Sequence, residues 1–542
     1  MSEPTGEAVG ASGTRQAGPA DTAPAAAGSP GDSGADQASQ NGTHRDGPSP
    51  SQASPSQAST ARPGLRERAA GLARRHWLFA LVLAGAVALR AVVMLGFPPI
   101  IWFHDSYSYL QTAVSHHSSS VRPAGYPLFL LVLKPLHSFV VVALAQHLMG
   151  LGVGVAIYAL LRKRGLPAWA ATLVALPVLY DAYQVQLEQM VMSDVLFMLV
   201  LTLALVILCW RDKIGPVAAA VAGLLIGYAT VIRSVGLPLI VLAAVCLLVR
   251  RPGWRPLVAL VVAALIPIGI YEAGYKSQHG QYAMTQSSGI FLYGRVQTFA
   301  TCPAIKPPPS LRVLCDPRPP AERPIATEYI WANNPLDKLA PHYGFFTPQI
   351  NSLAQQYAER AILAQPFSYL RVVARDTLRS FFWTRTLAYD PKTDVSYLFA
   401  HPSYIGSYRP WHDLHLYQPG LGQTRSVEPF SGFLIGYQRY VYLRGTLLGL
   451  ILLLGLVGVV ARWRRWGGAA LLPWLVTVML LVGPVATSGF SYRYELAVVP
   501  FACLAGGLAA AQLRGSGRAR PALGWPAKVS GKLRRGRPVE QE

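Results

Sequence analysis

The chain has 542 residues, of which 52% are apolar and only 14% charged, against about 25% charged in soluble domains. Its formal net charge is +22, but the charge falls in short clusters between apolar runs rather than over one basic face. That distribution excludes an ordinary soluble domain and a nucleic-acid-binding surface, and fits orienting charges with contacts to anionic membrane lipids.

Residues 1–62 are rich in Ala, Gly, Ser, Pro, Gln and Asp. Without an apolar period they cannot bury enough surface to offset ordering entropy, so a disordered cytoplasmic N-terminal tail is expected. No cleavable signal pattern is read in it, and its Asn41-Gly42-Thr43 sequon is expected to be incidental. From there apolar runs recur at about 77–97, 137–161, 167–183, 190–210, 216–232, 237–249, 256–275, 442–460, 471–487 and 496–513. Runs of about 17–25 nearly uncharged residues can cross a hydrocarbon core as helices, and continuous runs exclude a barrel. The sequence therefore predicts an all-α multi-pass membrane protein with about ten transmembrane helices.

Basic clusters at 74–75, 162–164, 211–213, 250–255 and 462–465 alternate with loops carrying only scattered Arg122, Lys134, Arg233 and Arg493. The positive-inside rule then places both termini in the cytoplasm of a plasma-membrane protein. This gives a membrane domain over 63–275, including a first outer loop at 98–136. A mixed extracytoplasmic domain follows over 276–439, then a second membrane portion over 440–513 and a basic cytoplasmic tail over 514–542. Amphipathic helices are expected near 349–364 and 367–382, the second with Arg371, Arg375 and Arg379 on one face.

Of five cysteines, Cys209, Cys246 and Cys503 lie in apolar runs as small hydrophobes. Cys302 and Cys315 lie in the external segment, where a disulfide is permitted.

Five stretches could carry chemistry. In the first outer loop Asp105 stands among Trp102, Phe103, Tyr107 and Tyr109. The aromatics alone could be an interfacial belt. Interfacial burial of the carboxyl would raise its pKa and suit it to take a proton. Next, Arg122 and Tyr126 lie in a Pro-Gly-Pro turn, which reads either as a snorkelling arginine or as a phosphate contact. Glu188 and Asp194 flank the fourth run, where capping and an intramembrane acid site are both open. Arg233, Arg493 and Tyr494 mark two further helix ends on the same expected face.

In this order, Asp105 with Tyr109, Arg122 to Pro127, Glu188 to Phe197, Arg233 to Pro238, and Arg493-Tyr494 with Pro500 resemble the GT-C superfamily of polyprenyl-phosphate-dependent glycosyltransferases. The likeness is to bacterial relatives of protein O-mannosyltransferases and aminoarabinose transferases, of the glycosyltransferase family 39 type, and covers about residues 77–513. It implies a GT-C-like fold and a cell-envelope transferase moving sugar from a polyprenyl-phosphate donor to a protein, lipid or polysaccharide acceptor. It implies Asp105 as the catalytic base, Glu188 and Asp194 as a second acidic or acceptor contact, and Arg122, Tyr126, Arg233, Arg493 and Tyr494 at the donor phosphate. Many relatives pair the first-loop Asp with an adjacent acid; here His104 and Ser106 flank it, so no clear ligand set supports a divalent metal. The competing readings are a polysaccharide ligase or polymerase, a lipid-linked sugar flippase or transporter, and a non-catalytic scaffold. A transporter tends to show internal repeats and mid-membrane charge. No repeat is evident, and the candidate acids cluster at one face rather than mid-span, with Arg90 inside the first run as the exception.

Overall fold

The computed structural model describes residues 65–251, 253–331, 335–339, 345–385, 389–402 and 408–518. The chain divides after Pro63 into two units, and all described residues belong to the second. The expected N-terminal tail and most of the C-terminal tail lie outside them.

All ten apolar runs form helix. α1 (Leu65–Gly96) is followed by the shorter helices α2 (His104–Ser115) and α3 (Gly125–Leu133). Then come α4 (Phe139–Lys163), α5 (Ala168–Tyr180), α6 (Ala182–Glu188), α7 (Asp194–Trp210), α8 (Pro216–Ile232), α9 (Leu237–Arg250) and α10 (Trp254–His279). Helices Gly445–Ala461, Leu471–Thr487 and Tyr492–Arg518 close the bundle.

Among the described residues, five helical stretches are long and apolar enough to cross a membrane, and a sixth is reached if Phe430–Tyr440 and Gly445–Ala461, bent by 55°, form one broken span. α5, α7, α8 and α9 are shorter, at 13 to 17 residues, or roughly 20–26 Å at 1.5 Å per residue. The third and fourth runs are interrupted. The third run breaks at Asp181, whose carboxylate accepts from the Tyr183 and Gln184 N–H groups and starts α6. The fourth run begins as helix only at Asp194, because Ile101 and Met190 pair as an isolated parallel bridge. Leu81, Val217, Val241 and Ile270 are exposed, as side chains facing lipid tails should be.

The segment 276–439, expected to be mixed, contains only α- and 3-10 helices among its described residues. Its core gathers Ile290, Tyr293, Leu314, Ile350 and Tyr357, with Cys302 and Cys315 joined in a disulfide, their Cα atoms 6.0 Å apart.

Candidate active site

Where the segments 98–136 and 276–439 meet the bundle, a cavity of about 1230 Å³ opens. Asp105, Tyr109, Arg122, Arg233, Arg493 and Tyr494 line it. Residues of the segment 276–439, including Trp331, Asp394 and Tyr397, line it as well.

Local packing fixes each of these side chains. The bridge that precedes α7 also seats the segment leading into α2: Ile101 N–H donates to the Gln189 carbonyl at 2.9 Å. Ser106 Oγ donates to the Val191 carbonyl at 2.9 Å, and Tyr109 Oη and Ser193 Oγ are 2.9 Å apart. These contacts hold Asp105 beside Asp194, 89 residues away in sequence. Arg122 precedes Gly125, where a Cβ would come within 2.6 Å of the Val231–Ile232 backbone. That close approach lays the turn on the end of α8, beside Arg233. Arg233 itself is extended (φ −147°) and ends the helix.

The result is a charge cluster centred on Arg493. Its Nη1 donates to Asp105 Oδ2 at 2.6 Å, and its Nε and Nη2 donate to Asp194 Oδ2 at 2.9 and 2.7 Å. Arg122 pairs with Asp105 Oδ1, and Arg233 with Asp194 Oδ1. Three guanidiniums thus share two carboxylates and leave one net positive charge. Aromatic faces support them: Arg122 lies over Tyr109 and Trp331, Arg233 over Phe197 and Tyr494, and Arg493 over Phe103. Fully buried Asp194 stands behind the arginines rather than in the cavity wall.

The expected upward shift of Asp105 is reversed. Burial alone would raise its pKa, but the Arg122 and Arg493 guanidiniums outweigh burial and hold the carboxyl well below the usual range. A carboxylate held this way is a strong acceptor for arginine and a weak base.

Two expected site residues lie elsewhere. Glu188 accepts from Arg90 Nε and Nη2 at 2.8 and 2.9 Å, with His147 Nδ1 2.9 Å away, all buried inside the bundle. Arg90 on α1 draws it there, so Glu188 does not reach the cavity. Tyr126 is buried beneath the site; its phenol donates to Gln146 Oε1 at 2.8 Å and its ring packs edge-on to Tyr109.

Sequence reasoning missed the residues that the segment 276–439 brings to the cavity. Tyr397 stacks on Phe103 with ring centroids 5.1 Å apart, and Asp390 and Asp394 lie just before it. The only signal was two acids four residues apart, Asp-Pro-Lys-Thr-Asp, ahead of an apolar Val-Ser-Tyr-Leu-Phe stretch. Among the described residues, no group of three or more His, Cys, Asp or Glu side chains could hold a metal ion.

No family model and no curated protein matches the chain. Solved structures similar to the chain include the following two. One is the archaeal oligosaccharyltransferase AglB from Archaeoglobus fulgidus, in complex with an inhibitory peptide and a dolichol-phosphate. It is 10% identical with a TM-score of 0.36, over 84% of this chain and 53% of that one. The other is ArnT from Cupriavidus metallidurans bound to undecaprenyl phosphate, 15% identical with a TM-score of 0.32, over 81% of this chain and 77% of that one. The chain spans about half the length of the oligosaccharyltransferase. Neither likeness is close enough to establish a shared function.

Proposed function

We propose that this membrane protein is a GT-C-type glycosyltransferase that takes sugar from a polyprenyl-phosphate donor to a hydroxyl-bearing acceptor in the cavity. The observation that carries this reading is the three-arginine, two-carboxylate cluster lining a large cavity at the bundle's end. An array with one net positive charge, partly desolvated and already oriented, suits a phosphate that gains negative charge as the sugar leaves.

Within this reading Arg122, Arg233 and Arg493 hold the departing phosphate. Asp194 and Asp105 orient them, and Tyr494 walls the site beside Arg233. An incoming phosphate would compete with Asp105 for the same guanidinium donors. The base role that the resemblance implies for Asp105 would need one of its oxygens free to take a proton, whereas both are engaged by arginines in this structure. The cavity's place among the outer loops, with the basic clusters at the opposite helix ends, favours transfer on the extracytoplasmic face, with both termini inside.

The test is purified protein in lipid nanodiscs, titrated with undecaprenyl phosphate and assayed with undecaprenyl-phosphate-linked sugars. A lost charge-assisted hydrogen bond of about 1.5–3 kcal/mol corresponds to roughly 10- to 100-fold weaker binding. Arg493→Ala and Arg233→Ala should each weaken lipid-phosphate binding by about that much. Unchanged binding in both variants would sink the assignment. Movement of lipid-linked sugar across the bilayer with no glycosidic product would favour a flippase.

A further inference from the structure

We propose that Asp394, set beside Asp390 in the external wall of the cavity, receives the acceptor's proton during transfer; this rests on the transferase reading above. Asp390 and Asp394 both line the cavity and are 9% and 4% exposed. Asp390 caps a single helical turn, Pro391–Asp394, by accepting from the Thr393 N–H at 3.2 Å. Asp394 ends that turn, and its Oδ2 has no hydrogen-bond partner among the described residues. A buried carboxyl oxygen without a donor is costly, and a bound hydroxyl would supply that donor. The 3-10 turn Val395–Tyr397 follows at once and places the Tyr397 ring on Phe103, the residue beneath Arg493. The acid pair and the arginine cluster therefore face one space.

The chemistry separates the two walls. Asp105 is ion-paired twice and kept strongly acidic. Burial, reinforced by repulsion from Asp390, pushes Asp394 up to about 7, where a general base works best at neutral pH. No arginine contact opposes that shift. Lys392 turns outward onto Glu328 at 3.0 Å. On α6, which packs against the 395–397 turn, Glu188 is held by Arg90 and His147. Across the cavity, Asp105, Arg122, Arg233 and Arg493 are paired with one another or with Asp194.

In the proposed step the acceptor O–H gives its proton to Asp394, which becomes a neutral acid. The acceptor oxygen forms the new bond to the anomeric carbon as the bond from that carbon to the phosphate oxygen breaks. The electron pair stays on the phosphate, whose added negative charge the arginines take.

The experiment uses the full chain in nanodiscs, with undecaprenyl-phosphate-linked pentoses and hexoses as donors and membranes of expressing cells as the acceptor source. Positioned acid–base groups contribute about 10²–10⁴-fold. Wild-type kcat should rise with pH through about 7, following Asp394. Asp394→Asn should lower kcat at least about 100-fold, abolish that rise and leave undecaprenyl-phosphate binding intact. Asp394→Glu should restore part of the rate, and Asp105→Asn should keep the pH rise. If Asp394→Asn keeps both the rate and the rise, Asp394 is not the base, while the transferase reading stands. If wild type makes no glycosidic product from any donor, the transferase reading falls and takes the base with it. Infrared titration is independent of turnover: the absence of an Asp394 carboxyl band titrating near neutral pH would overturn the proposal by itself.

Discussion

Arg493 is the most informative single residue, because one guanidinium joins two carboxylates from different parts of the chain. Asp194 is buried with no route to the cavity, so its effect on substrate must pass through Arg233 and Arg493. Asp194→Asn should reduce transfer roughly 10- to 100-fold, as expected when charge-assisted hydrogen bonds are lost. The fall should come mainly through donor KM, measured in the same nanodisc assay. A change in kcat alone would contradict this positioning role. Asp394 gives a second prediction. Its folded-state value of about 7 exceeds its ordinary 3.8, so folding takes up a proton between those values. Its contribution is then fully present below about 3.8 and is lost as pH rises through about 7. Thermal unfolding in detergent should show wild type losing more stability from pH 5.5 to 8.5 than Asp394→Asn; an equal loss would show that the carboxyl is not buried as an acid. Asp105, Arg122, Arg233 and Arg493 were legible in the sequence because charges bounding apolar runs stand out. Asp394 was not, since only folding brings the segment 276–439 to the cavity beside Phe103 and Asp105.

At the scale of elements, two features decide how the helices sit. Gly223 and Gly227 on α8 face α10, where a Cβ on either would meet the main-chain carbonyl of Leu260 or Ala264. Backbone cannot yield as a side chain can, so Gly227→Leu should separate α8 from α10 and displace Arg233 at the end of α8. Both a lower melting temperature and weaker undecaprenyl-phosphate binding are expected; a variant unchanged in both would refute the close packing. The second feature is the buried Arg90–Glu188–His147 set joining α1, α4 and α6. Arg90→Met strands a buried carboxylate, at a cost of about 3–5 kcal/mol, and Arg90→Met with Glu188→Met should recover most of it. Chemical-denaturant unfolding of both variants tests this, and a double variant no better than the single would exclude pairing as the source. A charged residue in an apolar run flagged Arg90 at once, but its partner was invisible because 98 residues separate them.

For the whole molecule, sidedness is the claim that most needs measurement. Single cysteines placed at exposed Arg251 and at exposed Arg360 should be labelled by impermeant reagents from opposite sides of the membrane, after the free cysteines are replaced. Labelling from one side would overturn the expected topology. The sequence by itself determined that the chain is helical and membrane-embedded, and which residues bound its apolar runs, because hydropathy and charge are local properties of a stretch. Only the tertiary structure decided that pairing of Ile101 with Met190 delays the fourth helix and that Glu188 belongs to Arg90. It alone set Asp105 as a pinned anion and brought Asp394 to the same cavity. Those outcomes depend on which residues far apart in the chain meet in space, and chain distance carries no information about that.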